Sequence, residues 1–79
     1  MNVLFFAQSR QAAGCDSHIL KVEKSLSQSE FWTMLIETFP SLAAQQNSAR
    51  LARHETYLGK DDLLQPDDEI AIIPPVSGG

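Results

Sequence analysis

The residues best placed to do chemistry in this chain carry no reactive side chain. They are Gly78 and Gly79, which close the 79-residue sequence behind Pro74-Pro75-Val76-Ser77. A glycine at a carboxyl end offers a bare α-carboxylate on a strip of backbone thin enough for a narrow cleft in another protein. That carboxylate is an anion at neutral pH and a poor electrophile, so acyl chemistry at Gly79 requires activation from outside. Proline fixes φ and has no N–H. Pro74-Pro75 is therefore expected to end the hydrogen-bonding ladder of the preceding strand and to send residues 74–79 away from the body as a tail. In extended or polyproline form such a tail reaches roughly 18–20 Å. The bland alternative is a glycine-rich end that frays. Against it, Glu69-Ile70-Ala71-Ile72-Ile73 runs directly into the prolines, which anchors the expected tail in the core.

Such a terminus needs a scaffold, and the length allows one small domain, residues 1–79, with a net stability of about 4–12 kcal/mol. A chain this short is a poor host for an enclosed substrate pocket, so a role in catalysis implies a site shared with a partner. Ten acidic against six basic residues give a net charge of −4, which argues against nucleic-acid or anionic-membrane surfaces and favours basic protein partners. The single cysteine, Cys15, cannot form an internal disulfide, and with only His18 and His54 beside it there is no zinc ligand set. A cytoplasmic protein that binds no metal is the natural expectation. The start, Met1 to Phe6, lacks a basic leader and is too short for a signal or a span, and it is expected to open a strand.

Val3–Ala7 is apolar on both alternating faces, Val3, Phe5 and Ala7 on one and Leu4 and Phe6 on the other, as in a central strand. Ser9–Ala13 reads as a helical turn closed by Gly14. His18–Val22 alternates like a second strand, antiparallel to the first. Ser27-Gln28-Ser29-Glu30 fits a capping box, with Leu26 stapling onto Phe31. The helix that follows groups Phe31, Trp32, Leu35, Ile36 and Phe39 on one arc, read as core, and Pro40 ends it. Leu42–Gln45 is a further short helix, Leu51–Leu58 an exposed strand or hairpin, and Gly59–Asp62 and Pro66–Asp68 are turns. Glu69–Ile73 is the last strand, with Ile70 and Ile72 on one face and Ala71 and Ile73 on the other. One helix covers one sheet face only. The other is expected to leave an apolar patch, built from the first and last strands and continuing into Val76, that docks on a partner. The competing expectation is that Leu42 and Leu63-Leu64 fold over it.

Val3-Leu4-Phe5-Phe6-Ala7-Gln8, Arg10, Gly14 and the ending from Asp68 to Gly79 resemble the MoaD family, the small sulfur-carrier subunits of molybdopterin synthase. The resemblance implies an α+β, ubiquitin-like β-grasp fold: a mixed sheet with its terminal strands parallel at the centre and one main helix across one face. It implies that an E1-like, MoeB-like adenylyltransferase spends ATP to adenylate Gly79, that a sulfur donor converts the adenylate to a thiocarboxylate, and that a MoaE-like large subunit receives the tail in a heterotetramer. There the sulfur attacks cyclic pyranopterin monophosphate, two charged copies completing the dithiolene. The chain binds no cofactor itself and has no activity alone in this scheme. Gly79 carries the reacting carbonyl, and Gly78 omits a Cβ at the narrowest point. Ser77 and Val76 make contacts along the channel, while Pro74 and Pro75 limit the entropy lost on docking. Ile73 and Phe5 extend the partner-binding set. Departures from the family pattern are His54, where Asn is common, and Asp67-Asp68-Glu69 in place of a Gly-Asp-Glu turn. His54 is read as a surface or strand-edge residue and Cys15 as inert, a sulfur relay being the other option. A sulfur carrier for thiamine thiazole synthesis and a ubiquitin-like protein modifier share the diglycine logic.

Overall fold

The computed structural model describes residues 1–74 of the chain. Its elements in order are β1 (Asn2–Phe5), α1 (Gln8–Ala13), β2 (Ser17–Ile19), α2 (Gln28–Thr38), a 3-10 helix (Pro40–Gln45), β3 (Arg50–Arg53), β4 (Thr56–Tyr57) and β5 (Glu69–Ile73). The five strands form one mixed sheet in the order β2-β1-β5-β3-β4. β1 and β5 run parallel at its middle, with Val3 level with Ile70 and Phe5 with Ile72, while β2, β3 and β4 join antiparallel. This is the β-grasp layout.

Alternation along the two central strands decides which face the helix covers. Val3, Phe5, Ile70 and Ile72 are buried and join Phe31, Trp32 and Leu35 of α2 in one core, to which Leu42 and Leu64 also belong. Leu35 is fully buried, and its truncation to alanine is worth about 2–5 kcal/mol. Half-buried Phe39 closes the end of this core with its ring edge-on to Phe5 at 5.5 Å and to His18 at 5.0 Å. The helix starts where its capping box requires: Ser27 Oγ accepts from the Glu30 N–H at 3.1 Å and Glu30 Oε1 accepts from the Ser27 N–H at 2.9 Å. Hydrogen bonding to the Glu30 carboxyl, from the Ser27 backbone N–H first and the Ser27 side chain second, holds it below its ordinary range. At its other end the helix stops at Thr38, with pre-proline Phe39 as C-cap. Gly14 closes α1 at φ 78, its N–H bonded to the Arg10 carbonyl, in the left-handed conformation a C-terminal glycine supplies.

Several expected boundaries move. β1 stops at Phe5, because Ala7 sits at φ 50, ψ −119 in a turn closed by the Ser9 N–H to Phe6 carbonyl bond at 3.0 Å. These are the angles of the first central residue of a II′ turn, a place glycine prefers. β2 is Ser17–Ile19 rather than His18–Val22: it pairs with β1 over Asn2–Leu4, and Leu20 exchanges hydrogen bonds with Met1 at the end of that pairing. The segment Leu51–Leu58 is a hairpin whose first strand is buried, not exposed, because β3 lies against central β5: Leu51 is 4% and Ala52 8% exposed. The short helix begins at Pro40 and is of the 3-10 type.

Candidate functional site

Strand register assigns the second face of the sheet, because residues level with one another on neighbouring strands point the same way. Asn2 is level with Ile19 and Glu69, Leu4 with Ser17 and Ala71, Ala71 with Ala52, Ala52 with Tyr57, and Ile73 with Arg50. No helix crosses these residues. Of the four exposed large apolar side chains among the described residues, Ile19 and Tyr57 lie on this face, Phe6 lies at its end beside Ile73, and Leu63 lies elsewhere. A shallow depression of about 410 Å³ runs across it, lined by Leu4, Phe6, Ala52, Ala71 and Ile73, with His54, Glu55 and Glu69 at one end. The expected apolar patch is therefore present and open. Leu42 and Leu64 pack into the opposite, helix-covered core, so they do not shield it.

One expected contact residue is corrected. Phe5 is 2% exposed and belongs to the helix-side core, where it meets Phe39. The aromatic side chain available on the open face is its neighbour Phe6, 45% exposed. Ile73, half-buried, is on the open face as expected, and Pro74 follows it outside the strand. Pro75, Val76, Ser77, Gly78 and Gly79, the remainder of the expected tail and its expected reactive end, lie outside the described residues. Arg50 and Tyr57 were not singled out in the sequence: the Arg50 guanidinium lies 4.0 Å from the centre of the Tyr57 ring, on the open face beside Ile73. Only register reveals this, since Arg50-Leu51-Ala52-Arg53 alternates with one arginine on each face.

The other arginine, Arg53, faces the helix side and clamps the turn that launches β5. Its Nη1 donates to Asp68 Oδ2 at 2.6 Å and to the Leu63 carbonyl at 3.0 Å, and the Gln65 N–H donates to the same carboxylate oxygen at 2.8 Å. Partial burial is the largest single influence on Asp68 and raises its pKa. The Gln65 hydrogen bond, the Arg53 hydrogen bond and the Arg53 charge together outweigh burial and hold the carboxyl below its ordinary value. With these bonds Asp68 fastens the Pro66–Asp68 turn ahead of β5.

His54 and Glu55 sit at φ 52 and 63, between Arg53 and Thr56, which pair with each other. Positive φ at both central residues defines the I′ hairpin turn, for which Asn-Gly is the favoured sequence. His54 thus occupies an exposed turn position at the rim of the depression, in agreement with its reading as a surface or strand-edge residue. Half-buried Cys15 is a free thiol that packs against the core. Among the described residues no group of three or more His, Cys, Asp or Glu side chains could hold a metal ion, and no helix is long and apolar enough to cross a membrane.

A five-stranded mixed sheet grasping one helix, with a bare apolar face beside the exit of its last strand, defines the class: a ubiquitin-like β-grasp domain. The chain belongs to the ThiS family, whose sequence model matches residues 3–79. It is 35% identical over 82 residues to the molybdopterin synthase sulfur carrier subunit of Homo sapiens, covering 100% of this chain and 93% of that protein. It is likewise 35% identical over 79 residues to the protein of the same name from Arabidopsis thaliana, covering 100% of this chain and 82% of the other. The crystal structure of SAMP1 from Haloferax volcanii superposes with a TM-score of 0.82 over 100% of this chain and 98% of that one, at 22% identity, a likeness of fold.

Proposed function

We propose that this chain is the sulfur-carrier subunit of a molybdopterin synthase, a sulfurtransferase complex in which it supplies the nucleophile and a second subunit supplies the pocket. The observation that carries this reading is the end-to-end similarity to sulfur carrier subunits of that name in animals and plants. The geometry supports it: the last strand is locked into the centre of the sheet, and it leaves the domain at Pro74 beside an uncovered apolar face.

The chemistry belongs to Gly79. Its carboxylate oxygen attacks the α-phosphorus of ATP on an E1-like, MoeB-like adenylyltransferase, releasing pyrophosphate and leaving an acyl-adenylate. A sulfur donor then displaces AMP and leaves a thiocarboxylate. Docked on a MoaE-like large subunit in a heterotetramer, the thiocarboxylate sulfur attacks cyclic pyranopterin monophosphate, and hydrolysis returns the free carboxylate. Two charged copies complete one dithiolene. ATP is consumed by the activating enzyme, this chain holds no cofactor and has no turnover alone, and the cycle runs in the cytoplasm. Gly78 and Gly79 keep side chains out of the channel, and Pro74 and Pro75 restrict the states lost on docking.

Mass spectrometry of the protein isolated from its own cells tests this. Exchange of one terminal oxygen for sulfur, absent in Gly79→Val while the variant stays folded, is the expected result. Lysine adducts of the chain would instead make it a protein modifier, and an unmodified carboxylate in cells that are making molybdopterin would refute the carrier assignment. Reconstitution with the organism's own large subunit separates the pathways, because a carrier for thiazole synthesis would not support dithiolene formation.

A further inference from the structure

Burial of apolar surface has no direction, so a flat apolar sheet face alone would let a partner seat in either sense along the strands. A carrier whose reactive end leaves one end of the sheet works in only one of them. The open face carries charge at both ends, and the signs differ. At the exit end, Arg50 is level with Ile73, its guanidinium held over the Tyr57 ring. Arg50 is in neither of the two ion pairs found among the described residues, Arg10–Asp16 and Arg53–Asp68. At the opposite end, Glu69 accepts a hydrogen bond from Asn2 Nδ2 at 3.0 Å, and Glu55 stands in the adjacent hairpin turn, both lining the depression. Leu4, Ala71 and Ile73 fill the stretch between.

We propose that this polarity sets the sense of docking: the large subunit presents an apolar patch with a carboxylate opposite Arg50, where the tail is received, and a lysine or arginine opposite Glu69 and Glu55. The inference rests on the reading of the chain as a carrier that docks through this face. Charge complementarity fixes register and suppresses wrong orientations more than it adds raw affinity. The chain's net charge of −4 draws it toward basic partners as a whole, so the acid facing Arg50 is a local demand that the overall field opposes. Stacking on Tyr57 holds the guanidinium plane in place, which a lysine ammonium would not reproduce.

The test is the affinity of the full chain for the organism's own large subunit, measured at low and high salt for Phe6→Asp, Arg50→Glu and Glu69→Lys. Phe6→Asp, which puts a charge into the apolar strip, is expected to weaken binding more than about 30-fold. Arg50→Glu is expected to weaken it about tenfold or more at low salt and less at high salt, where screening shortens to a few ångströms. Glu69→Lys follows the same pattern. Replacing the partner carboxylate nearest Arg50 by lysine should restore binding to Arg50→Glu. If Phe6→Asp weakens binding while Arg50→Glu binds as well as or better than the unaltered chain, the polarity proposal falls and the docking face stands. Unchanged binding by Phe6→Asp removes the docking face and the proposal with it. Thermal unfolding of each variant establishes that it is folded, and Arg50→Gln, which removes the charge without adding an acid, gives the reading if Arg50→Glu does not fold.

Discussion

Asp68→Asn is the sharpest probe of how the last strand is held. The substitution keeps the size of the side chain but removes the charge from two short hydrogen bonds that it accepts, from Arg53 Nη1 at 2.6 Å and from the Gln65 N–H at 2.8 Å. Both partners sit in partial shelter, the Arg53 and Asp68 side chains being 26% and 14% exposed, so the pair is not an ordinary surface ion pair. Charge-assisted hydrogen bonds contribute roughly 1 kcal/mol more than neutral ones, and two of them give an expected loss of about 2 kcal/mol. In a domain of this size that lowers the unfolding midpoint by about 8–16 °C at pH 7. Because the folded carboxyl is held below its ordinary value, its contribution is complete above the unfolded pKa and is lost as pH falls through the folded one. Calorimetry of wild type and variant should thus show a full gap at pH 7 that narrows below about pH 4 and closes once Asp68 is protonated. A gap that persists undiminished in acid, or one below about 0.5 kcal/mol at neutral pH, would refute the clamp as described.

Ser27→Ala removes the Oγ that caps α2 and is expected to cost about 1 kcal/mol, read as a lower denaturant midpoint with unchanged slope. Glu55→Gly relieves a non-glycine residue at φ 63 in the β3–β4 turn, and a gain of roughly 0.5–1 kcal/mol in chemical unfolding is expected.

Much of this architecture is readable from residue types, and the exceptions share a cause. The capping box at Ser27 and the arc of Phe31, Trp32 and Leu35 follow from side chains acting within a few residues of each other, and both appear where expected. The doubled apolarity of the terminal strands reflects a real asymmetry: Val3 and Ile72 meet the helix, whereas Leu4 and Ile73 meet solvent. What local pattern does not carry is register. Whether Arg50 shares a face with Tyr57 or with Phe31 depends on how β3 slides against β5, a relation between segments more than 15 residues apart. The expectation of Phe5 as a partner contact fails for the same reason, since in a strand apolar on both sides only the position of the helix says which half is hidden. Ala7 ended β1 early through backbone geometry that its side chain does not advertise.

The pairing of β1 with β5 ties manufacture to competence. Asn2 meets Glu69, 67 positions later, so the sheet lacks its middle until synthesis has passed the last strand. A product cut short before Glu69 leaves Val3 and Phe5 without Ile70 and Ile72, their partners in β5, and such an unfinished chain exposes greasy surface to proteases and chaperones. Folding thereby acts as an inspection step: a domain that has closed its core is one whose translation has already reached the doorstep of the diglycine.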